Sequence, residues 1–74
     1  VLKYNIILRP ELEGGFTVVV PALLGCITYG KNLKEAKEMV CDAINAYLVS
    51  VKKHGGSVIS DKDNLFTMLE ITHA

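Results

Sequence analysis

The sequence lacks the features of a membrane protein and of an autonomous nucleic-acid binder. No apolar run approaches the roughly 18 to 20 residues that span a bilayer, and no basic and apolar signal segment opens the chain. We therefore expect a cytoplasmic protein that does not enter a membrane. Eight basic and eight acidic residues cancel, so the overall electrostatic attraction to phosphates that an independent DNA or RNA binder needs is missing.

Cysteine and histidine are too few and too scattered for a metal site or a cysteine nucleophile. Cys26 opens a predicted strand and Cys41 lies inside a predicted helix, without the short spacings that hold zinc. His54 and His73 lie at a helix end and in the tail, where neither is positioned as a base for a thiol. We expect two buried free thiols, no cofactor and no metal.

Apolar alternation predicts three strands in the first part of the chain. Over residues 2–9, apolar side chains recur at every second position, the pattern of a strand with one buried face. A turn that contains Pro10 and the pair Gly14-Gly15 joins this strand antiparallel to a second one at residues 16–20. After Pro21 and Gly25, β-branched and aromatic residues predict a short third strand at residues 26–29.

A helix and a last strand are predicted to follow. Asn32 can cap the helix and Glu35 can reach back to it, while an apolar stripe at helical spacing runs from Leu33 to Val51. Gly55 is a natural left-handed cap, so we expect the helix over residues 33–53. The apolar residues 65–71, after a polar turn, predict a fourth strand.

These elements predict a single α+β domain over residues 1–74, with the order β-β-β-α-β. The helix is long enough to cross over the sheet, and such a crossover is right-handed. The predicted sheet order is 3-2-1-4, with the fourth strand parallel to the first and the helix packed on one face.

Two linked motifs carry a family resemblance. The pattern Gly-Gly-Phe-x-Val-x-Val-Pro-x-Leu-x-Gly-Cys covers residues 14–26, and Gly-x-Asn-x-x-Glu-Ala follows at residues 30–36. The chain resembles the HicB-like antitoxin family in its short form, the HicB N-terminal-type domain. The resemblance implies a partial ribonuclease H-like fold that binds and neutralises a HicA toxin, a small ribonuclease that cuts messenger RNA. Few residues follow Gly56, so we expect no C-terminal DNA-binding segment and no direct DNA binding.

Nuclease activity of the chain itself is not expected. Two-metal hydrolysis in the ribonuclease H arrangement needs several converging carboxylates, one of them on the first strand. That strand offers Asn5 and no acid. We therefore expect a binding protein and not an enzyme.

The predicted sheet leaves an apolar back face. If the alternate residues face the helix, then Ile7 and Val19 lie on the back, with Ile27 or Tyr29 beside them. This face is a candidate surface for a bound toxin, or for a homodimer or tetramer. Scattered exposed apolar side chains are also normal in soluble proteins.

Acidic residues on the helix form a second candidate surface. Glu35, Glu38 and Asp42 recur at spacings of three and four, so they line one stripe. The stripe could attract a basic toxin, or it could be an ordinary solvated face that Lys34 and Lys37 partly offset. The sequence thus predicts an antitoxin that acts by occlusion; the alternative is an orphan HicB-like oligomer without a toxin, directed at RNA or another partner.

Overall fold

Three short antiparallel strands and one long helix form the fold. The computed structural model describes residues 2–73, with β1 at Ile7–Pro10, β2 at Phe16–Val19, β3 at Ile27–Gly30 and α1 at Leu33–Lys53. The α+β class and the order of these four elements agree with the sequence prediction, and α1 has the predicted bounds. Within the described residues, no helix combines the length and the apolarity that crossing a bilayer requires.

The sheet has the order β1-β2-β3. Leu8, Val18 and Thr28 are paired across the three strands and form one row, and Ile7, Val19 and Ile27 form the next row. Because side chains alternate between the faces of a strand, these two rows lie on opposite faces of the sheet.

The core lies between one sheet face and α1. Its buried members are Val18, Val20, Leu23, Cys26, Ala36 and Val40. The apolar residues that the sequence assigns to the helix side, such as Tyr4, Ile6 and Leu8, pack against this cluster. A Cβ atom at Gly30 would overlap the backbone of Ala36, so β3 approaches the first turn of α1 as closely as it does only because residue 30 is glycine.

Both ends of α1 are capped. The side-chain oxygen of Asn32 accepts a hydrogen bond of 2.8 Å from the N–H of Glu35, as the sequence predicts. The Glu35 carboxylate accepts from the N–H of Lys31 at 3.2 Å, one residue before the cap. At the other end, Gly55 has a φ of +73° and its N–H donates to the carbonyl of Lys52 at 3.1 Å, which closes the last turn.

The predicted fourth strand is absent from the described residues, so the sheet order 3-2-1-4 is not confirmed. Residues 65–71 have no ladder partner and lie exposed. The place beside the chain that leads into β1 is taken instead by residues 59–61, where the N–H of Asp61 donates to the carbonyl of Lys3 at 2.7 Å. One backbone bond does not make a strand, and the chain then turns away. The partial ribonuclease H-like fold remains a prediction.

Asp61 fixes this C-terminal contact. It is the buried polar residue of the described chain, and its carboxylate accepts from the N–H of Asn5 at 3.1 Å and from the Asn64 side chain at 2.6 Å. The hydroxyl of Tyr4 donates to the carbonyl of Ile59. Burial, with a smaller contribution from the charge of Asp61, raises the pKa of Tyr4.

The two cysteines differ in exposure. Cys26 is buried as predicted, and its burial raises the pKa of its thiol. Cys41 is exposed, so the prediction that it is buried is wrong. The apolar stripe of α1 passes through Val40 and Ile44, and position 41 therefore falls at the margin of that stripe.

Candidate partner interface

The sheet face opposite α1 carries a row of apolar side chains. Ile7, Val19 and Ile27 are directly paired across β1, β2 and β3, and paired side chains on one face have their Cβ atoms roughly 5 Å apart. Ile7 is 48 % exposed and Ile27 60 % exposed. We call this row, together with Tyr29, the back face; the structure thus brings four of the seven candidate residues onto one surface.

A second row on the same face is more polar. Arg9, Thr17 and Tyr29 are paired across the strands, and Tyr29 is 49 % exposed while its hydroxyl donates to the carbonyl of Gly14 at 2.9 Å. The back face therefore has an apolar row bordered by a polar one.

Glu11 completes this polar border. The Thr17 hydroxyl donates to the Glu11 carboxylate, and Arg9 approaches the same oxygen at 3.5 Å. The hydrogen bond from Thr17, helped by the charge of Arg9, lowers the pKa of Glu11 although desolvation opposes the shift. The sequence prediction did not include these three residues in the interface. A signal for two of them was available, because Arg9 lies two positions after Ile7 and Thr17 lies two positions before Val19. Residues two positions apart in a strand lie on the same face.

The three acidic residues of α1 border one shallow depression, but they differ in exposure. Glu35, Glu38 and Asp42 all line it, and of these Glu38 and Asp42 are exposed. Glu35 is half-buried and holds the N–H of Lys31, so part of its role is to cap the helix.

The back face and the acidic stripe do not form one site. The sheet buries its other face against α1, so the back face and the exposed side of α1 lie on different sides of the domain. Among residues 2–73, no three His, Cys, Asp or Glu side chains come together where they could hold a metal ion.

A further apolar surface lies between α1 and the N-terminal chain. It is an open groove of about 420 Å³, lined by Leu2, Tyr4, Val40, Cys41, Ile44, Asn45 and Leu48. Leu2 and Tyr4 belong to the predicted first strand, and Val40, Ile44 and Leu48 to the predicted apolar stripe of the helix, whereas Cys41 and Asn45 lie beside that stripe. We call this surface the side groove.

Comparison with known proteins identifies the family. A family model described as "HicB_like antitoxin of bacterial toxin-antitoxin system" matches residues 4–70. The chain belongs to the HicB-like antitoxin family. The sequence resemblance is thereby confirmed over nearly the whole chain, including the back face, the acidic stripe and the residues that follow α1.

Several relatives of this HicB-like chain are named UPF0150 proteins. One from Thermoplasma acidophilum is 40% identical over 67 residues, which cover 90% of this chain and 97% of the relative. One from Archaeoglobus fulgidus is 42% identical over 53 residues, covering 72% of this chain and 75% of the relative. One from Helicobacter pylori is 32% identical over 62 residues, covering 84% and 86% respectively.

Proposed function

We propose that this HicB-like chain neutralises a HicA-type toxin, a small ribonuclease that cleaves messenger RNA, by binding it and covering its RNA-binding surface and active site. Occlusion requires a surface of complementary shape and charge and no reactive group. Membership of an antitoxin family supports this proposal and favours a non-catalytic role.

The observation that carries the proposal is the open apolar row of the back face. Ile7, Val19 and Ile27 are held in register by the strand ladders, so the row is rigid before any partner binds. Protein interfaces typically have an apolar centre surrounded by a polar rim, and tyrosine is enriched in them. Tyr29 and the Arg9–Glu11 pair provide that border.

The acidic stripe supplies a second part of the proposal, which concerns the rate of association. Exposed carboxylates such as Glu38 and Asp42 steer a basic partner toward the complex and contribute more to the association rate than to the final affinity. A ribonuclease that binds RNA phosphates presents basic side chains. Because the stripe and the back face lie on different sides of the domain, the stripe raises the rate of encounter with the domain but does not orient the back face.

Co-expression tests the proposal. The chain is produced together with the small protein encoded beside it, and growth and co-purification are scored in the same cells. We expect the neighbour to arrest growth alone, and the pair to grow and to yield a stable complex. A toxic neighbour that neither binds this chain nor is neutralised by it would contradict the proposal.

A matched pair of variants assigns the surface. Ile27→Glu puts a charge at the exposed β3 end of the apolar row and should weaken toxin binding by about 30-fold or more. Val49→Glu introduces the same charge at an exposed apolar residue of α1, 66 % exposed, and should leave binding unchanged. Equal effects of the two variants, or none from Ile27→Glu, would exclude the back face as the toxin surface.

Charge reversal tests the acidic stripe. Glu38→Lys with Asp42→Lys should slow toxin association and reduce its salt dependence, with a smaller change in dissociation. Glu35 is left unchanged because its carboxylate caps α1. Glu13→Lys reverses an exposed charge in the β1–β2 turn and serves as the control. Association rates that stay the same in the helix variant would remove the steering role.

A neighbour that shows no toxicity and no complex would favour an orphan HicB-like oligomer. RNA-binding assays with the purified chain would then follow, since the alternative predicted from the sequence is an orphan oligomer directed at RNA or another partner.

A further inference from the structure

The C-terminal residues 65–71, which we call the C-terminal arm, stand away from the domain. The arm contains five large apolar side chains that are between 53 % and 95 % exposed: Leu65, Phe66, Met68, Leu69 and Ile71. The Cα radius of gyration is 14.3 Å and the longest extent is 47 Å, whereas a compact chain of this length has a radius of gyration of about 11 Å. Soluble proteins rarely leave a contiguous apolar stretch of this kind uncovered.

The base of the arm is fixed to the domain. Asp61 is hydrogen-bonded to Lys3 and Asn5, and the N–H of Asn64 donates to the carbonyl of Asp61 at 2.9 Å. This turn gives the arm a defined exit, so its exposure does not result from a loose connection. The chain leaves the domain at a fixed point and carries its apolar residues into solvent.

The side groove opens close to that exit. Tyr4 lines the groove and also donates its hydroxyl to the carbonyl of Ile59, just before the base of the arm. The groove walls include the apolar side chains of Leu2, Ile44 and Leu48. One domain therefore presents an unfilled apolar groove near the base of an uncovered apolar arm.

We infer that the C-terminal arm of one copy occupies the side groove of a second copy, and that the exchange is reciprocal. Because the base of the arm lies near the groove, a twofold arrangement can fill both grooves and cover both arms at once. Such an isologous contact uses the same surfaces of both copies, so assembly stops at the dimer and does not continue into a filament. This dimer requires no toxin and is independent of the proposed function.

The area that the exchange would bury is that of a weak, reversible dimer. A large apolar side chain removes about 60 to 120 Å² of apolar surface from water when it is fully buried. Five partly exposed side chains then give about 300 to 500 Å² for each arm, and each groove adds on the order of 100 Å². The total for two arms and two grooves is about 800 to 1,200 Å², which lies just below the standard range and is typical of a weak, reversible dimer.

The first experiment measures the oligomeric state by light scattering and sedimentation over a range of concentrations. The unaltered chain should dimerise as its concentration rises. Leu65→Asp with Leu69→Asp places two charges on one side of an extended arm and should weaken dimerisation at least about 100-fold. Leu12→Asp with Leu24→Asp changes two leucines that are as exposed but lie in the strand connections, and should leave the dimer intact.

Cys41 provides a direct reporter, because it lines the groove and is exposed in the single copy. A maleimide should modify Cys41 slowly in the dimer and at least about tenfold faster in the Leu65→Asp, Leu69→Asp variant, as expected for a thiol whose reactivity follows its access. Circular dichroism of α1 confirms that the variant is folded. Buried Cys26 should remain protected in both proteins.

Cross-linking identifies which copy supplies the arm. Met68→Cys is mixed as isotope-labelled and unlabelled chains and joined to Cys41 with a short bismaleimide, with Leu12→Cys as the control. Linked peptides of mixed isotope composition are expected for Met68→Cys alone. A monomer at all concentrations, a dimer that the arm variant does not weaken, or links only within one chain would each overturn the inference.

Discussion

Replacing Asp61 by alanine tests whether one buried carboxylate holds the C-terminal part of the chain against the N-terminal part. The carboxylate accepts from the N–H of Asn5 at 3.1 Å and from the Asn64 side chain at 2.6 Å, and Asp61 is 4 % exposed. Alanine removes both acceptors and leaves the N–H of Asn5 without its partner. The backbone bond from residue 61 to Lys3 can still form.

The expected loss follows from these two bonds. A hydrogen bond to a charged acceptor contributes about 1.5 to 3 kcal/mol, and a more exposed one about 0.5 to 1.5 kcal/mol. Asp61→Ala should therefore lower the free energy of unfolding by about 2 to 4 kcal/mol. For a domain of this size, each kcal/mol corresponds to about 4 to 8 °C, so the midpoint of thermal unfolding should fall by about 10 to 30 °C.

Urea unfolding followed by the circular dichroism of α1 measures the change. Asp63→Ala is the matched control, because Asp63 lies in the same turn and is exposed, and it should change the stability by less than about 0.5 kcal/mol. Both proteins are measured at a concentration where the oligomeric state is the same. A loss below about 0.5 kcal/mol in Asp61→Ala would refute the reasoning that this carboxylate joins the two ends of the chain.

Three further changes have definite expected outcomes. Thr28→Val should raise the free energy of unfolding by about 1 kcal/mol in urea titrations, because the buried hydroxyl of Thr28 has no hydrogen-bond partner among residues 2–73. Gly30→Ala should lower it by about 1 to 3 kcal/mol, because the added Cβ overlaps the backbone of Ala36. The pKa of Tyr4 is raised above 10.0 by burial and then by Asp61, so its stabilising contribution is present below pH 10 and is lost as the pH rises through the folded-state pKa. Stability measured above pH 10 should therefore fall more steeply in the unaltered chain than in Tyr4→Phe.

Local sequence signals were sufficient for the bounds of the helix and for the order of the first three strands. They predicted the first strand over residues 2–9, whereas β1 is Ile7–Pro10 and residues 2–6 are not in a strand. The cap at Asn32, the apolar spacing along α1 and the left-handed Gly55 each act over a few residues, and the bounds of α1 are as predicted. Strand pairing was also predictable, because the turn at Gly14-Gly15 sets the register of β1 against β2. That register then determines the members of the back face.

Contacts between distant parts of the chain were not predictable from local patterns. Asp61 reads as a turn residue, and nothing near it indicates that its carboxylate reaches Asn5 across more than fifty positions. The exposure of Cys41 depends on the position of the helix stripe to within one residue.

The fourth strand shows the limit of such patterns most clearly. Residues 65–71 have apolar side chains on both faces, the composition of a strand with protein on either side. A strand also needs a neighbour to receive its backbone hydrogen bonds. In the single copy, residues 59–61 already lie beside Lys3 and Asn5. The arm begins after this contact, so it does not pair with the first strand, where the sequence prediction had placed it. The apolar residues 65–71 therefore form no strand within one copy, and the same apolar surface favours binding of the arm to a second copy.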